Sequence, residues 1–532
     1  MTKMYFLFLF HVFAYCNGAN ILIAPVDVGY NSRVSNMIKL GDILQQRGHK
    51  IYFLYNSDLH NMKLFKLTGK NMADTVNRFN VITYDVPPVD PEKAQATDNM
   101  DWVNSLIGLA WSDAVRMFWP HIYPEMLNNV IRDMDTWRKL SEKSFDVIIA
   151  DANNYFGRVL GGHFNVPVIA YSNWGPMAHD FIYPTNPSYI PVDFTNSHLS
   201  DTMDIWERFS NTWEFLRFQY YAAAAQEKVK QVCLNYKHIK TEACDNIVDF
   251  PKTVSLVLMN RNDALHYPAP FMPHIISVEG FFLDNAEPLS GIFRDIVEKA
   301  NNNGVIVASF GSLFRKLPMD MAEVFAEAFA SMNQTIIWSY DGPKPKQLGD
   351  NTFISEWIPQ SDLLAHSNVK LFVQHCGVSA TFEALNSAVP SVGIPFIADQ
   401  LYNCEKLANR VGSLKTINMR DLTSELLQSA MTEVLYNTSF KENAENAAAI
   451  YHSQPISPKD KVAYWVEYVI RHKGAPHLQS QGANNLNIFQ YLLLDVIGLF
   501  VGLACAFSGI IIYFIRFIIK KFTHLSKKYK AE

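Results

Sequence analysis

Short apolar runs recur along the chain, bounded by polar or glycine-containing turns and separated by segments with helical spacing. Ile21 to Val26 is the first run, a polar loop covers 27–33, Ser35 to Gln46 has helical spacing, and His49 to Tyr55 is the second run. Runs of this length without polar alternation suit strands buried on both faces, as in parallel sheets. The pattern returns at Phe145 to Ala150, which ends in Asp151, and at Val166 to Tyr171. It returns again at Gly304 to Ser309, Thr335 to Ser339, Lys370 to Val373 and Ser391 to Pro395. Strands alternating with helices predict an α/β architecture of open parallel sheets, whose ligands bind outside the carboxyl ends of the strands.

Three stretches break the pattern. Residues 280–292 carry Glu279-Gly280, Asp284-Asn285 and Pro288 around them and read as a linker between two Rossmann-like halves. Between about 175 and 245 the chain is rich in aromatics, with Trp206, Phe209, Trp213, Phe215, Phe218, Tyr220 and Tyr221. These read as helices that either wall an apolar pocket or supply core. Finally, Val496 to Ile515 holds no charge over 20 residues, the length of one transmembrane helix. A tail with Arg516, Lys520, Lys521, Lys527, Lys528 and Lys530 follows it, and the positive-inside bias puts that tail in the cytosol.

Residues 1–18 read as a secretory signal, with Lys3 before an apolar Tyr5-to-Tyr15 core and small residues near Cys16-Asn17-Gly18. The bulk of the protein would then be lumenal. The 532 residues allow two or three domains, 49% of them are hydrophobic, and a net charge of −5 gives no sign of a nucleic-acid partner. Of six cysteines, Cys233, Cys244, Cys376 and Cys404 would face the lumen. No His/Cys cluster suggests a metal. A Cys233–Cys244 bridge and free buried thiols are both compatible with an oxidising compartment. Asn333 and Asn437 open glycosylation sequons.

The richest stretch runs from Phe372 to Gln400. A strand enters a turn at Gln374 to Gly377, and Val378 to Leu385 continues as a helix. A helix amino terminus after a glycine turn offers unpaired N–H groups to phosphate, and His375 adds a donor. Ser379 and Glu383 are four apart and share a helix face, where a carboxylate can hold ribose hydroxyls. Asp399-Gln400 supplies an acceptor and an amide for sugar hydroxyls. Small residues after another strand, Ser309, Gly311 and Ser312, again favour a close phosphate.

His375, Gly377, Glu383, Pro390, the G-I-P of Gly393 to Pro395 and Asp399-Gln400 resemble the signature of the UDP-glycosyltransferases, specifically the membrane-bound UDP-glucuronosyltransferase branch of animals. The S-F-G-S of Ser309 to Ser312 and the W-I-P-Q of Trp357 to Gln360 resemble it too. So do Gln454-Pro455, Trp465 to Glu467, Arg471 to Ala475, Phe489 to Tyr491 and Leu494-Asp495. The resemblance implies a GT-B fold, two facing Rossmann-like domains with a C-terminal transmembrane helix. Its parts would be a signal at 1–18, an acceptor-binding domain at 19–280 and a UDP-sugar-binding domain at 281–455. A returning helix and juxtamembrane segment at 456–493, a membrane helix at 494–515 and a basic cytosolic tail at 516–532 would follow. The UDP-sugar would be a co-substrate bound by Ser309, Gly311, Ser312, Trp357, Gln360, His375, Gly377, Ser379, Glu383, Asp399 and Gln400, with Trp357 under the uracil and no further cofactor. The acceptor would be small and lipophilic. The last five residues, K-Y-K-A-E, fit an endoplasmic-reticulum retrieval pattern, and the resemblance makes homo- or heterodimers plausible.

One residue departs from the family. The resemblance places a base His after a Ser in the first βα loop, 14 residues before Arg47, and this chain has Ser32-Arg33 there. Its carboxylate partner is present as Asp151. Arginine stays protonated in proteins, so Arg33 is no base. Three readings follow: acceptors that are already nucleophilic, a substitute base among Asp27, Tyr30 and Asp151, or a relative that binds UDP-sugar or partner transferases without turnover. Two smaller departures are Ser379 in place of an Asn, and Pro268-Ala269-Pro270 in place of P-R-P. Arg261 nearby could meet a sugar carboxylate or could be a plain surface arginine.

Overall fold

The computed structural model describes residues 18–26, 31–57, 76–86, 111–173, 199–248, 253–278, 280–300, 303–312 and 314–529. The signal segment to residue 17, the candidate bases Asp27 and Tyr30, and residues 530–532 of the retrieval pattern lie outside them.

Residues up to Leu478 form one compact unit with two parallel sheets. The first has seven strands: β1 (Asn20–Ala24), β2 (Lys50–Asn56), β3 (Asn80–Tyr84), β4 (Val147–Asp151), β5 (Val168–Ser172), β6 (Leu256–Met259) and β7 (Ile275–Ser277). Their spatial order is β3-β2-β1-β4-β5-β6-β7. The second has six: β8 (Val305–Ser309), β9 (Thr335–Ser339), β10 (Thr352–Ser355), β11 (Val369–Gln374), β12 (Ser391–Gly393) and β13 (Leu414–Thr416), in the order β10-β9-β8-β11-β12-β13. Numbered from its own first strand, each sheet begins 3-2-1-4-5-6, the doubly wound order. The strand order therefore reverses between β1 and β4 in one sheet and between β8 and β11 in the other, where such folds open a crevice.

Both faces of the first sheet are apolar. Leu22, Ala24, Ile148 and Ala150 pack on one side; Ile21, Ile23, Val147 and Ile149 pack on the other. That double burial is why the strands read as unbroken apolar runs. The second face shares its core with the carboxy-terminal half, through Val378, Phe382, Leu407 and Leu414. The helix Pro458–Arg471 returns to the same face with Val462, Ala463, Val466 and Val469.

Several expectations need correction. The polar loop at 27–33 is shorter than the spacing suggests, because the first helix spans Asn31–Gln46. Asn and Ser suit a first helical turn as well as a loop, so Arg33 sits on a helix. The aromatics after residue 204 lie on one 30-residue helix, Ile205–Leu234. Phe218 is buried, with 4% exposed, but Trp206, Phe209, Trp213 and Tyr220 are 55–75% exposed, so these four are not core. Arg261 is no surface arginine: it is 5% exposed, donates to the Tyr267 carbonyl at 3.0 Å, pairs with Asp263 and lies over the Phe271 ring. Disulfides join Cys233 to Cys244, and Cys376 to Cys404. The two sequon asparagines, Asn333 and Asn437, are exposed.

The second unit begins at Gln479. It holds the 36-residue helix Leu494–Tyr529, which runs past the expected end at 515. Its segment Leu494–His524 is long and apolar enough to cross a membrane, with mean hydropathy 2.4.

Candidate active site

Arg33 and Asp151 meet at the reversal point of the first sheet. Asp151 is the last residue of β4, and Arg33 stands in the first turn of the helix after β1. The Arg33 Nε donates to Asp151 Oδ2 at 2.7 Å, and a second contact joins Nη2 to Oδ1. Both residues are at most 2% exposed. The Asn153 N–H donates to Asp151 Oδ1 at 3.0 Å. Asn154 caps the next helix and its amide donates to the Ala24 and Pro25 carbonyls at 3.2 and 2.8 Å, tying the first βα connection to the fourth strand. This carboxylate is thus committed to a permanent cation and a backbone donor. A polar triad of Asn36, Asn173 and Tyr171 lies alongside, with Tyr171 donating to Asn173 Oδ1 at 2.9 Å. Burial raises the Tyr171 hydroxyl far above its ordinary value, so it stays protonated.

The reversal point of the second sheet carries the phosphate-type elements. Ser309 ends β8, and His375 follows Gln374 at the end of β11. The His375 ring lies between two glycines. A Cβ at Gly311 would stand 2.8 Å from its Nε2, and one at Gly377 would stand 2.6 Å from it. Only glycine admits the ring there. Burial holds the imidazole down at about 4 against a weaker pull from the Ser309 backbone, so it is neutral at pH 7. Its Nδ1 is buried without a hydrogen-bond partner among the described residues. The helix Val378–Asn386 starts at Gly377 with no side-chain cap, which leaves its first N–H groups for a ligand.

On that helix Glu383 accepts from the side chains of Gln360 and Ser361. Desolvation raises its carboxyl above the ordinary range. Ser379, Gly311, Ser312 and Gln360 are half-buried, and Trp357 is 39% exposed, free to offer a ring face. Asp399 is 7% exposed and accepts from Asn403 Nδ2 at 2.6 Å. Burial lifts its carboxyl to about 6, while Asn403, Lys406 and Arg33 pull the other way. The Gln400 carbonyl oxygen accepts from Phe396 and Ile397 N–H at 2.8 and 3.1 Å, so half of its amide holds its own turn.

Three participants were missed from sequence. Asn403 bridges Asp399 and the Cys376 carbonyl, the latter at 3.1 Å; its i+4 spacing from Asp399 was the available signal. Lys406, 1% exposed, meets His266 Nε2 at 2.9 Å and joins the halves. Burial first, then Lys406, pushes His266 well below its ordinary value, so it accepts as a neutral ring. Nothing local marks that pair, since its partners are 140 positions apart. The Cys376–Cys404 bridge sits inside the signature itself. A polar cavity of about 580 Å³ opens beside Tyr267, Asn409 and Arg410, and none of the residues picked from sequence lines it.

Residues 19–529 match the family described as UDP-glucoronosyl and UDP-glucosyl transferase. UDP-glucuronosyltransferase 2B30 of Macaca fascicularis is 31% identical over 97% of this chain and 96% of its own. UDP-glucuronosyltransferase 2B1 of Rattus norvegicus is 31% identical over 96% and 95%. Human UDP-glucuronosyltransferase 2B15 is 30% identical over 96% and 95%. Among solved structures, the calicheamicin glycosyltransferase CalG4 superposes with a TM-score of 0.56 at 15% identity, over 86% of this chain and 99% of its own. The kitacinnamycin glycotransferase gives 0.56 at 17%, over 86% and 100%. These likenesses show a GT-B fold.

Proposed function

The chain belongs to the family of UDP-glucuronosyl and UDP-glucosyl transferases and is a UDP-glycosyltransferase; from that premise we propose that it transfers a glucuronosyl or glucosyl group, with inversion, to small lipophilic acceptors whose attacking atom is already nucleophilic. The observation that carries this reading is the buried Arg33–Asp151 pair. A guanidinium accepts no proton, and both oxygens of the Asp151 carboxylate are already engaged by it. An amine or an ionised acid needs no base to attack.

In this mechanism the acceptor lone pair forms a bond to the anomeric carbon from the face opposite the diphosphate. The bond from that carbon to the diphosphate oxygen breaks, and UDP leaves with the electron pair. His375 and the first N–H groups of the helix Val378–Asn386 stabilise the leaving charge. An amine acceptor loses its proton to solvent after attack. Glu383, steadied by Gln360 and Ser361, takes the ribose hydroxyls. Trp357 stacks on uracil, Ser309, Ser312 and Ser379 bond phosphate or ribose, and Asp399 with Gln400 orients the sugar. Arg261 is held by its own loop and receives no role in choosing the sugar.

The protein works as a single-pass membrane protein of the endoplasmic reticulum with its sheets in the lumen. The apolar helix Leu494–His524 and the lysines after it support that orientation. A second reading, a relative that binds UDP-sugar without turning it over, draws on the same ion pair.

The test is UDP release by membranes expressing the protein, with UDP-glucuronate and UDP-glucose, against amine and phenol panels. Wild type is expected to turn over amines and not phenols. Arg33→His should gain phenols, raising their rate by about 10²-fold or more, the scale of one general base. Asp151→Ala in the Arg33→His background should lose that gain. Turnover of phenols by wild type at the amine rate overturns the proposal. UDP binding without turnover of any acceptor, restored by Arg33→His, selects the second reading.

A further inference from the structure

The Cys376–Cys404 bridge lies in the donor site itself, not on a remote surface. Cys376 stands between His375 and Gly377, in a left-handed conformation with φ of 59°. Cys404 lies on the helix Gln400–Glu405, which Asp399 opens. Both cysteines are fully buried. The bridge closes a covalent ring of chain from 376 to 404. Inside that ring lie Gly377, Ser379, Glu383, Asp399 and Gln400, five of the residues assigned to the UDP-sugar.

A second link runs beside it. Asn403, next to Cys404, donates to the Cys376 carbonyl at 3.1 Å and to Asp399 Oδ2 at 2.6 Å. The turn that carries His375 is thus tied to the helix that carries Asp399 twice, once covalently and once by a shared amide. The left-handed backbone at Cys376 needs such a hold, because a residue with a Cβ is disfavoured there. Gly393, at the end of β12, makes room for the bridge: a Cβ there would stand 2.4 Å from the Cys404 sulfur and 2.6 Å from that of Cys376.

We infer that the Cys376–Cys404 disulfide is a positioning clamp for the UDP-sugar: it fixes the spacing between the His375 turn and the Asp399–Gln400 helix start, so donor affinity depends on its being closed. The inference rests on the donor-site reading above. Neither sulfur touches the donor; the bridge acts through His375 and Asp399. Preorganised groups bind more tightly because the ligand does not have to order them.

The test uses the full chain in detergent micelles and UDP as probe. Four species are compared: wild type, Cys376→Ser/Cys404→Ser, Cys233→Ser/Cys244→Ser, and the last of these after phosphine reduction, which adds two electrons and two protons to the remaining bridge. Alkylation and mass measurement report which thiols are free. Opening the 376–404 bridge is expected to weaken UDP binding by about tenfold or more, and to raise donor KM while acceptor KM stays put. Removing the 233–244 bridge alone should leave UDP affinity unchanged. If Cys376→Ser/Cys404→Ser does not fold by circular dichroism, the reduced Cys233→Ser/Cys244→Ser protein gives the answer. Equal UDP affinity with the bridge open overturns the clamp. So does an equal loss on removing the 233–244 bridge, which would make both bridges general staples. Failure of wild type to bind UDP at all sinks the donor-site reading beneath it.

Discussion

Asp399 illustrates how much one position can owe to its surroundings. Its ordinary carboxyl value of 3.8 is lifted to about 6 by burial. The folded protein therefore holds this proton more tightly than the unfolded chain. The carboxyl's contribution to stability is fully present below about 4 and is lost as pH rises to about 6. Thermal melts of wild type and Asp399→Asn across that range should diverge: wild type falls relative to the variant between pH 4 and 6, then runs parallel to it. A constant difference across the range would refute the shift. His375 shows the opposite case. Held down at about 4, the ring is neutral at pH 7; if it meets the diphosphate as proposed, donor KM should show no step near pH 6.5 from this ring. His375, Glu383 and Asp399 stood out as candidates in sequence because a strand–turn–helix spacing sets them out. The Arg33 departure was legible too, by its distance from Arg47. That Arg33 is spent on Asp151 in a buried bidentate pair, while also biasing Asp399, was not. Those partners are 118 and 366 positions away, and only the meeting of two sheet edges brings them close.

At the scale of elements, the strands were the easiest part. Buried parallel strands leave unbroken apolar runs, and those around β1, β2, β4, β5, β8, β9, β11 and β12 stand out. Strands β3, β6, β7 and β13 were not among the runs that the pattern singled out. The helix Ile205–Leu234 was misjudged. Trp206, Phe209, Trp213 and Tyr220 repeat at helical spacing, which normally marks a core face, yet they are exposed. Its start is set locally: Asp204 accepts from the Trp206 and Glu207 N–H groups at 2.8 and 2.9 Å, and Glu207 returns a bond to the Asp204 N–H at 2.7 Å. Asp204→Ala should destabilise this end by about 1 kcal/mol, the usual worth of a capping box partner. Hydrogen exchange should show faster opening over the first turns and no change at the other end. There, the Cys233–Cys244 bridge holds the last turn to the short helix Thr241–Asp245. Uniform protection along the helix in Asp204→Ala would contradict this account.

For the whole molecule, one face of the first sheet shares an apolar core with the carboxy-terminal half, reinforced by His266–Lys406 and by the Arg410 guanidinium donating to the Asp263 carbonyl at 2.9 Å. The apolar helix Leu494–His524 is a separate matter, decided by length and composition alone. Removing residues 494–532 should release the chain from carbonate-washed membranes, whereas the full chain should stay in the pellet. Retention of the shortened chain would mean that another surface holds it there. The sequence by itself determined the fold class, the family and the phosphate-type elements, because each depends on the order of side chains within some thirty residues. The tertiary structure alone decided what those elements face. It closed the Cys376–Cys404 ring, bound Arg33 to Asp151 and buried Asp399 against Asn403. Contacts of that kind form between strand ends distant in sequence, and burial then fixes their charge states; neither is written in local spacing.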